Sequence, residues 1–400
     1  MDEEKQLPIS ILGVGSCIPS MRLTNKDLEG MVDTSDEWIT KRTGIKERSI
    51  STKKENVYVL TALAAKRALD DAGIKAEEID AIYVGTNYTG KYAVPGVSHI
   101  VQHLIGAKNA SASDVGAGCS GGLYAMENGI GKILNIYYGF EGKKNKGRTD
   151  TKVLALAGDT LSAITNYKDR DTCVLLADAA AGIVLGIPKN NETQENEKGI
   201  YTIHTRSQGE DGHAISYKTG FELPIITQTG TEKGIKLSHK ESLQRKERAF
   251  RMDGNEVFKF AVRALEKITR ECVDSSKLRL EDVKDAIKII PHQANLVILD
   301  KAAKRLGIPM EHMYHHGIVN YGNSSAASLF VELDYIYRNR ELEKGDLFCL
   351  SAFGAGLTYA AACGRWTKEK YKGEKEYNKT QQKREVNSLF KKFQEWEPKS

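Results

Sequence analysis

The feature that most restricts the fold is a helix-then-strand unit that occurs once in each half of the chain. In the first copy, Asn56 to Asp70 places Leu60, Leu63, Ala64 and Leu69 on one helical stripe, and an apolar strand, Ala81 to Thr86, follows. In the second, Val257 to Ile268 carries Phe258, Ala261, Val262, Leu265 and Ile268 at the same period, and Ala286 to Ile290 reads as the strand. Both strands have an acidic lead-in, Glu77-Glu78-Ile79-Asp80-Ala81-Ile82 in one and Glu281-Asp282-Val283-Lys284-Asp285-Ala286-Ile287 in the other. The pattern reads as an internal duplication, with chance similarity as the alternative. Further apolar runs, Ile9 to Val14, Val153 to Ala157 and Leu347 to Ser351, are strands buried on both faces, so the expected class is layered α/β with helix-covered sheets.

A length of 400 residues exceeds what one compact core usually holds and fits two duplicated halves. The expected division is 1–187 and 199–366, joined by the polar stretch Pro188 to Lys198, with a charged tail at 367–400. Within that tail Val386, Leu389, Phe390, Phe393 and Trp396 recur at helical spacing, which predicts a short amphipathic helix docked on the protein's own surface. Gly139 to Thr151 reads as a lysine- and glycine-rich surface insertion.

The formal net charge of +5 is spread along the chain and gathers in the tail, without the aromatic-interleaved basic stripe that single-stranded nucleic acid requires. No apolar run is long enough for a membrane span, and Met1-Asp2-Glu3-Glu4 is the wrong charge for a signal peptide, so a cytoplasmic protein is expected. The six cysteines are scattered, with no CxxC pair, so neither a disulfide nor a metal site is expected.

Three residues stand in chemically suggestive contexts. Cys119 falls where Asp114-Val115-Gly116-Ala117-Gly118-Cys119-Ser120-Gly121-Gly122 turns from strand to helix, a place where free amides and the helix dipole favour a thiolate. A buried structural cysteine is the competing reading. Gly116, Gly118 and Gly121 also match a dinucleotide fingerprint, but no acidic residue ends the next strand at the required distance. His292 follows an apolar strand in Pro291-His292-Gln293-Ala294-Asn295, as donor or base, and Asn323 opens a helix in Tyr321-Gly322-Asn323-Ser324-Ser325-Ala326-Ala327-Ser328, where it could equally be an N-cap.

These stretches belong to a wider resemblance. Val32-Asp33-Thr34-Ser35-Asp36-Glu37-Trp38-Ile39, Arg42-Thr43-Gly44-Ile45-Lys46-Glu47-Arg48, Gly254-Asn255-Glu256-Val257-Phe258-Lys259 and Ala352-Phe353-Gly354-Ala355-Gly356 join them in matching the β-ketoacyl-acyl-carrier-protein synthase III family from Ile9 to about Arg365. The resemblance implies a duplicated thiolase-like five-layer αβαβα fold, a homodimer, and initiation of fatty acid synthesis from acyl-CoA and malonyl-acyl carrier protein. No metal or redox cofactor is implied, since coenzyme A thioesters are substrates. Cys119 would carry the acyl group, and His292 and Asn323 would stabilise the enolate left by decarboxylation. Backbone N–H groups of Cys119 and Ala355 would hold the oxyanion, Trp38, Arg42 and Arg170 would bind coenzyme A, and Lys259, Lys304 and Arg305 would dock the carrier.

The departures carry expectations of their own. Ala355 replaces the family's usual glycine, so the oxyanion site needs a negative φ there. Val94 replaces a phenylalanine that crosses the dimer to close the acyl pocket, which implies tolerance of longer or branched starters. Val297 replaces a docking arginine, which implies weaker carrier steering. Related readings of the same residues are a starter ketosynthase or acyltransferase of a polyketide pathway, a Cys-His-Asn hydrolase, and an idle homologue.

Overall fold

Alternation along each central strand feeds two different layers, which is why these strands are apolar throughout. The computed structural model describes residues 7–188, 199–217, 225–227, 236–238 and 250–398. In the first half the strands are Ser10–Cys17 (β1), Ala81–Gly85 (β2), Ser111–Val115 (β3), Lys152–Thr160 (β4) and Asp178–Gly186 (β5), ordered β1-β5-β4-β2-β3. The second half has Ile200–Ser207 (β6), Lys288–Pro291 (β7), Leu347–Gly354 (β8) and Thr358–Arg365 (β9), ordered β6-β9-β8-β7. Each expected strand segment overlaps one of these elements, with Ile9, Thr86, Ala286 and Ile287 falling just outside them. From Pro188 onward, the expected polar connection lies outside the described residues, apart from Pro188 itself.

The two sheets are the same design. β1 and β5, then β5 and β4, pair antiparallel, and β4 pairs parallel with β2. In the second half β6 and β9, then β9 and β8, pair antiparallel, and β8 pairs parallel with β7. Where β3 extends the first sheet, the second has, among the described residues, a single parallel bridge between Ile289 and Met313. The duplication seen in the sequence is therefore a duplication of topology as well.

The helices that position the site are Asp36–Thr43 (α1), Val57–Ala72 (α2), Val97–Ile105 (α3), Gly121–Tyr137 (α4), Gly254–Ser275 (α5), Leu296–Leu306 (α6), Ser328–Arg338 (α7) and Lys379–Trp396 (α8). α2 and α3 cover the outer face of the first sheet, α5 covers that of the second with α6 against it, and α4 and α7 lie between the sheets. On β4, Val153, Ala155 and Ala157 point into the central layer with Leu123 and Phe330, while Leu154 and Leu156 point outward to Leu60 and Val101. The result is five layers, α/β/α/β/α.

The tail forms the expected helix and docks where its stripe predicts. Asn378 caps α8 through its side chain, and Val386, Leu389 and Phe393 bury against α2 and α3. Phe393 stacks on Tyr58 with centroids 5.0 Å apart, Trp396 meets Tyr92 edge-on at 5.6 Å, and Lys91 pairs with Glu397 at 2.8 Å. Because Phe393 supplies the helix's deepest ring, Phe393→Ala should cost about 3–5 kcal/mol of docking free energy. Amide hydrogen exchange over α8 should then accelerate while the central strands stay protected; unchanged exchange in α8 would refute its dependence on this ring.

Candidate active site

Each half contributes one strand end and one helix start to the same place. In the first half β2 runs out into Thr86 and Asn87, and a single 3-10 turn, Gly118–Ser120, leads into α4. In the second, β7 runs out into His292, and the 3-10 turn Ser325–Ala327 leads into α7. The first of these turns meets the end of β8 because glycine permits it. A Cβ on Gly118, whose φ is +54°, would lie 2.4 Å from the Ala355 nitrogen, and one on Gly354 would lie 2.2 Å from the Cys119 nitrogen. No side chain fits at either position, so backbone touches backbone across the pseudo-symmetric junction.

Cys119, His292 and Asn323 line one cavity of about 1050 Å³, together with Asn87, Ser325, Phe353 and Ala355. Its apolar wall includes Leu161, Ile164, Leu176, Ile215 and Phe250, and its mouth includes Trp38, Arg42, Asn255 and Val297.

At the floor, Ser325 Oγ donates to Cys119 Sγ at 3.4 Å, and the N–H groups of Ala355 and Cys119 itself also face the sulfur. Positive φ at non-glycine residues is confined, among the described residues, to Lys277, Ser325 and Arg340, so Ala355 has the negative φ that an amide aimed into the site requires. The sulfur is partly open to the cavity but remote from bulk water. Burial pushes its pKa up to about 12, with the nearby Asp159 adding to the rise and the donated hydrogen bonds opposing it. This corrects the expectation of a resting thiolate: desolvation outweighs the favourable amides at the helix start, and the resting group is a thiol.

His292 is 1% exposed, and burial lowers its pKa to about 3, so the imidazole is neutral. Its Nδ1 lies 2.6 Å from Ser328 Oγ, and that oxygen also accepts the Gln293 N–H at 3.1 Å. With one lone pair so occupied, the Ser328 hydroxyl can give its proton to Nδ1, which leaves Nε2–H as a donor facing the cavity. Phe353 packs edge-on against the ring at 5.3 Å. The capping reading of Asn323 is not what the fold shows: Ser324 and Ala327 stand at the N-cap positions of the 3-10 turn and of α7, and the Asn323 Oδ1 accepts the Ser325 N–H at 2.9 Å from just outside the turn. That bond fixes the carboxamide so that Nδ2 is its only free donor among the described residues.

Sequence reasoning missed the residues that hold these three in place. Asn87 Nδ2 reaches Gly118 O at 3.1 Å, Ser325 Oγ at 3.0 Å and the buried Asp159 at 3.0 Å. Ser325 sits at φ +54°, a costly conformation for a serine, held by Asn323 and Asn87. Asn87 could have been found, because in the duplicated unit it occupies the strand-end position that His292 occupies in the other half.

The remaining candidates are placed less uniformly. Ser35 caps α1, and Trp38 on that helix has the guanidinium carbons of Arg42 and Arg170 each 4.8 Å from its ring centroid. Arg170 also donates to the Asp33 carbonyl at 2.9 Å. The two cations occupy the ring directly, so a flat base could enter only if one of them swung away. Val94 is 86% exposed and lies outside the cavity of its own chain. On the outer helices Lys304 pairs with Asp300 at 2.7 Å and Arg305 with Glu266, which partly neutralises two of the three carrier-docking candidates; Lys259 stands on α5.

The comparisons with known proteins agree with this architecture. Residues 39–136 match the family described as thiolase, N-terminal domain, residues 143–209 match 3-oxoacyl-[acyl-carrier-protein] synthase III, and residues 273–366 match its C-terminal part. The β-ketoacyl-[acyl-carrier-protein] synthase III of Desulfotalea psychrophila is 39% identical over 360 residues, 90% of this chain and 100% of that protein. This chain belongs to the β-ketoacyl-acyl-carrier-protein synthase III family. The synthase III of Caldanaerobacter subterraneus is 38% identical over 91% of this chain and 99% of that protein. Among solved structures, the synthase III of Aquifex aeolicus superposes with a TM-score of 0.73 at 32% identity, covering 90% of this chain and 100% of that one. A priming β-ketosynthase of a polyketide pathway reaches 0.75 at 27% identity, covering 90% and 96%. The fold is accordingly the thiolase fold. The family matches end at residue 366, so α8 lies beyond them.

The buried imidazole has a pH consequence. Since the folded pKa of His292 lies near 3 and its ordinary value is 6.5, the unfolded chain takes up the proton first. Stability linked to this residue is therefore complete above about pH 6.5 and declines as pH falls toward 3. Urea midpoints followed through this range should show wild type losing stability relative to His292→Leu as pH falls. A parallel pair of curves would mean that His292 titrates normally.

Proposed function

We propose that this synthase III joins an acyl-CoA starter to malonyl-acyl carrier protein by decarboxylating Claisen condensation, with Cys119 as acyl acceptor. The observation that carries the reading is that a thiol from the first half and two N–H donors from the second line one cavity. In the first stage the Cys119 sulfur adds to the acyl-CoA carbonyl. The oxyanion lies toward the Ala355 and Cys119 amides, coenzyme A leaves as its thiol with the Cys119 proton, and the acyl-enzyme remains.

The malonyl thioester then enters with its carbonyl oxygen toward His292 Nε2–H and Asn323 Nδ2–H. Loss of CO2 leaves the electron pair on that thioester as an enolate, the charge both donors are placed to stabilise. The enolate carbon attacks the acyl-enzyme carbonyl, and the Cys119 thiolate departs to give the 3-oxoacyl thioester. A neutral His292 suits this role, because a donor need not ionise to stabilise an oxyanion. Trp38, Arg42 and Arg170 at the mouth would receive the nucleotide of coenzyme A, with Arg170 moving off the ring, and Lys259 would meet the acidic carrier. The reading includes a cytoplasmic homodimer: no helix among the described residues is long and apolar enough to cross a membrane, and exposed Val94 is available to a second copy.

Intact-mass analysis across an acyl-CoA series, followed by malonyl-acyl carrier protein and collection of labelled CO2, tests the scheme. Asn323→Ala should retain acylation of Cys119 yet lose roughly 100- to 1,000-fold in CO2 release, the usual effect of removing one oxyanion donor. Loss of acylation and decarboxylation in equal measure would sink the assignment of Asn323 to the second stage. Val94→Phe should move starter preference toward acetyl-CoA and away from octanoyl-CoA; an unchanged chain-length profile would remove Val94 from the acyl pocket.

A further inference from the structure

Outside the catalytic cavity the fold gathers three cysteines that the sequence leaves far apart. Cys272 projects from α5, Cys349 from β8 and Cys363 from β9, under the outer helical layer of the second sheet. Their sulfurs all lie within 4.8 Å of one another, and their exposures are 0%, 0% and 2%. Cys349 and Cys363 stand directly opposite in the antiparallel register, with sulfurs 2.7 Å apart. None of the three lines the acyl cavity. The earlier expectation of no metal site rested on the absence of CxxC spacing, which is blind to ligands brought together by strand pairing.

We propose that Cys272, Cys349 and Cys363 form a binding site for a soft divalent d10 cation, of which Zn2+ is the representative and Cd2+ the spectroscopic stand-in. Soft thiolates select such ions, and a metal–sulfur distance of about 2.3 Å places three bound sulfurs roughly 4 Å apart, inside the span observed here. Small side-chain rotations that separate Cys349 from Cys363 complete the triangle. His204 lies on the same sheet face, since it pairs with Ala361 while Thr202, two residues before it, pairs with Cys363. It is the candidate for the fourth tetrahedral position.

On binding, each S–H gives its proton to solvent as its sulfur bonds the ion, and no electrons are transferred. Three thiolates around a divalent ion leave one net negative charge, a far smaller burial cost than uncompensated thiolates.

The test uses the full chain with Cys119→Ser, so that the cavity thiol cannot compete, titrated under reducing conditions with Zn2+ and with Cd2+. Native mass spectrometry should give one ion per chain with a deficit of protons, and Cd2+ should raise a thiolate charge-transfer absorbance. Adding Cys272→Ser, or Cys349→Ala with Cys363→Ala, should weaken binding at least roughly 100-fold, since even outer-shell partners are worth 10- to 100-fold. Thermal unfolding of each metal-free protein checks that the variants fold, and the near-isosteric Cys272→Ser covers the case in which the double variant does not. Stoichiometric binding that survives these substitutions would overturn the site. So would the absence of any one-to-one complex, or a Cys349–Cys363 disulfide that persists under the reducing conditions.

Discussion

The geometry of this enzyme rests on one contact, the touching of the Gly118–Cys119 and Gly354–Ala355 backbones. Close packing of main chain on main chain leaves no volume for a Cβ at Gly118 or Gly354, and it brings the Ala355 amide toward the Cys119 sulfur. The same approach draws the start of α4 against the end of β8, so the helix that follows Cys119 and the opposite sheet cannot shift independently. Each half alone would present a strand end and a helix start facing water. Joined here, they enclose a cavity with donors on one side and a thiol on the other.

Desolvation then sets the protonation of both central groups. The cavity that concentrates oxyanion donors also raises the Cys119 pKa and lowers that of His292, so the resting pair is neutral thiol and neutral imidazole. A pre-formed ion pair is not needed when the reaction itself creates the negative charge, first on the acyl oxygen and then on the enolate. In the proposed mechanism, fixed amide, imidazole and carboxamide N–H groups would stabilise charge as it develops with little reorganisation. Ser328, Asn87 and the buried Asp159 contribute by holding those donors in orientation.

Around this shared centre the two halves have diverged in what they add. The first sheet has a fifth strand where the second, among the described residues, has the Ile289–Met313 bridge. α8, beyond the family's extent, seals the outer helices of the first half and ties Lys91 and Tyr92 through Glu397. Those two residues belong to the loop that runs from Asn87 in the cavity to the exposed Val94, so the added helix braces a segment adjoining the reactive site.

Periodicity and composition alone determined the layered α/β class, the buried strands, the paired helix-strand units and the amphipathic tail helix, because each is written in residues close together in the chain. The motifs around Cys119, His292 and Asn323 marked the three chemical groups, and the resemblance they carry named the family. Tertiary structure alone decided that these groups share one cavity, that Ser325 bends into a left-handed conformation beside the sulfur, and that burial leaves Cys119 a thiol. It alone brought Cys272, Cys349 and Cys363 together. The physical reason is common to all of these: burial, pKa and ligand clustering depend on neighbours supplied by strand pairing and layer stacking, and those neighbours lie far away along the chain.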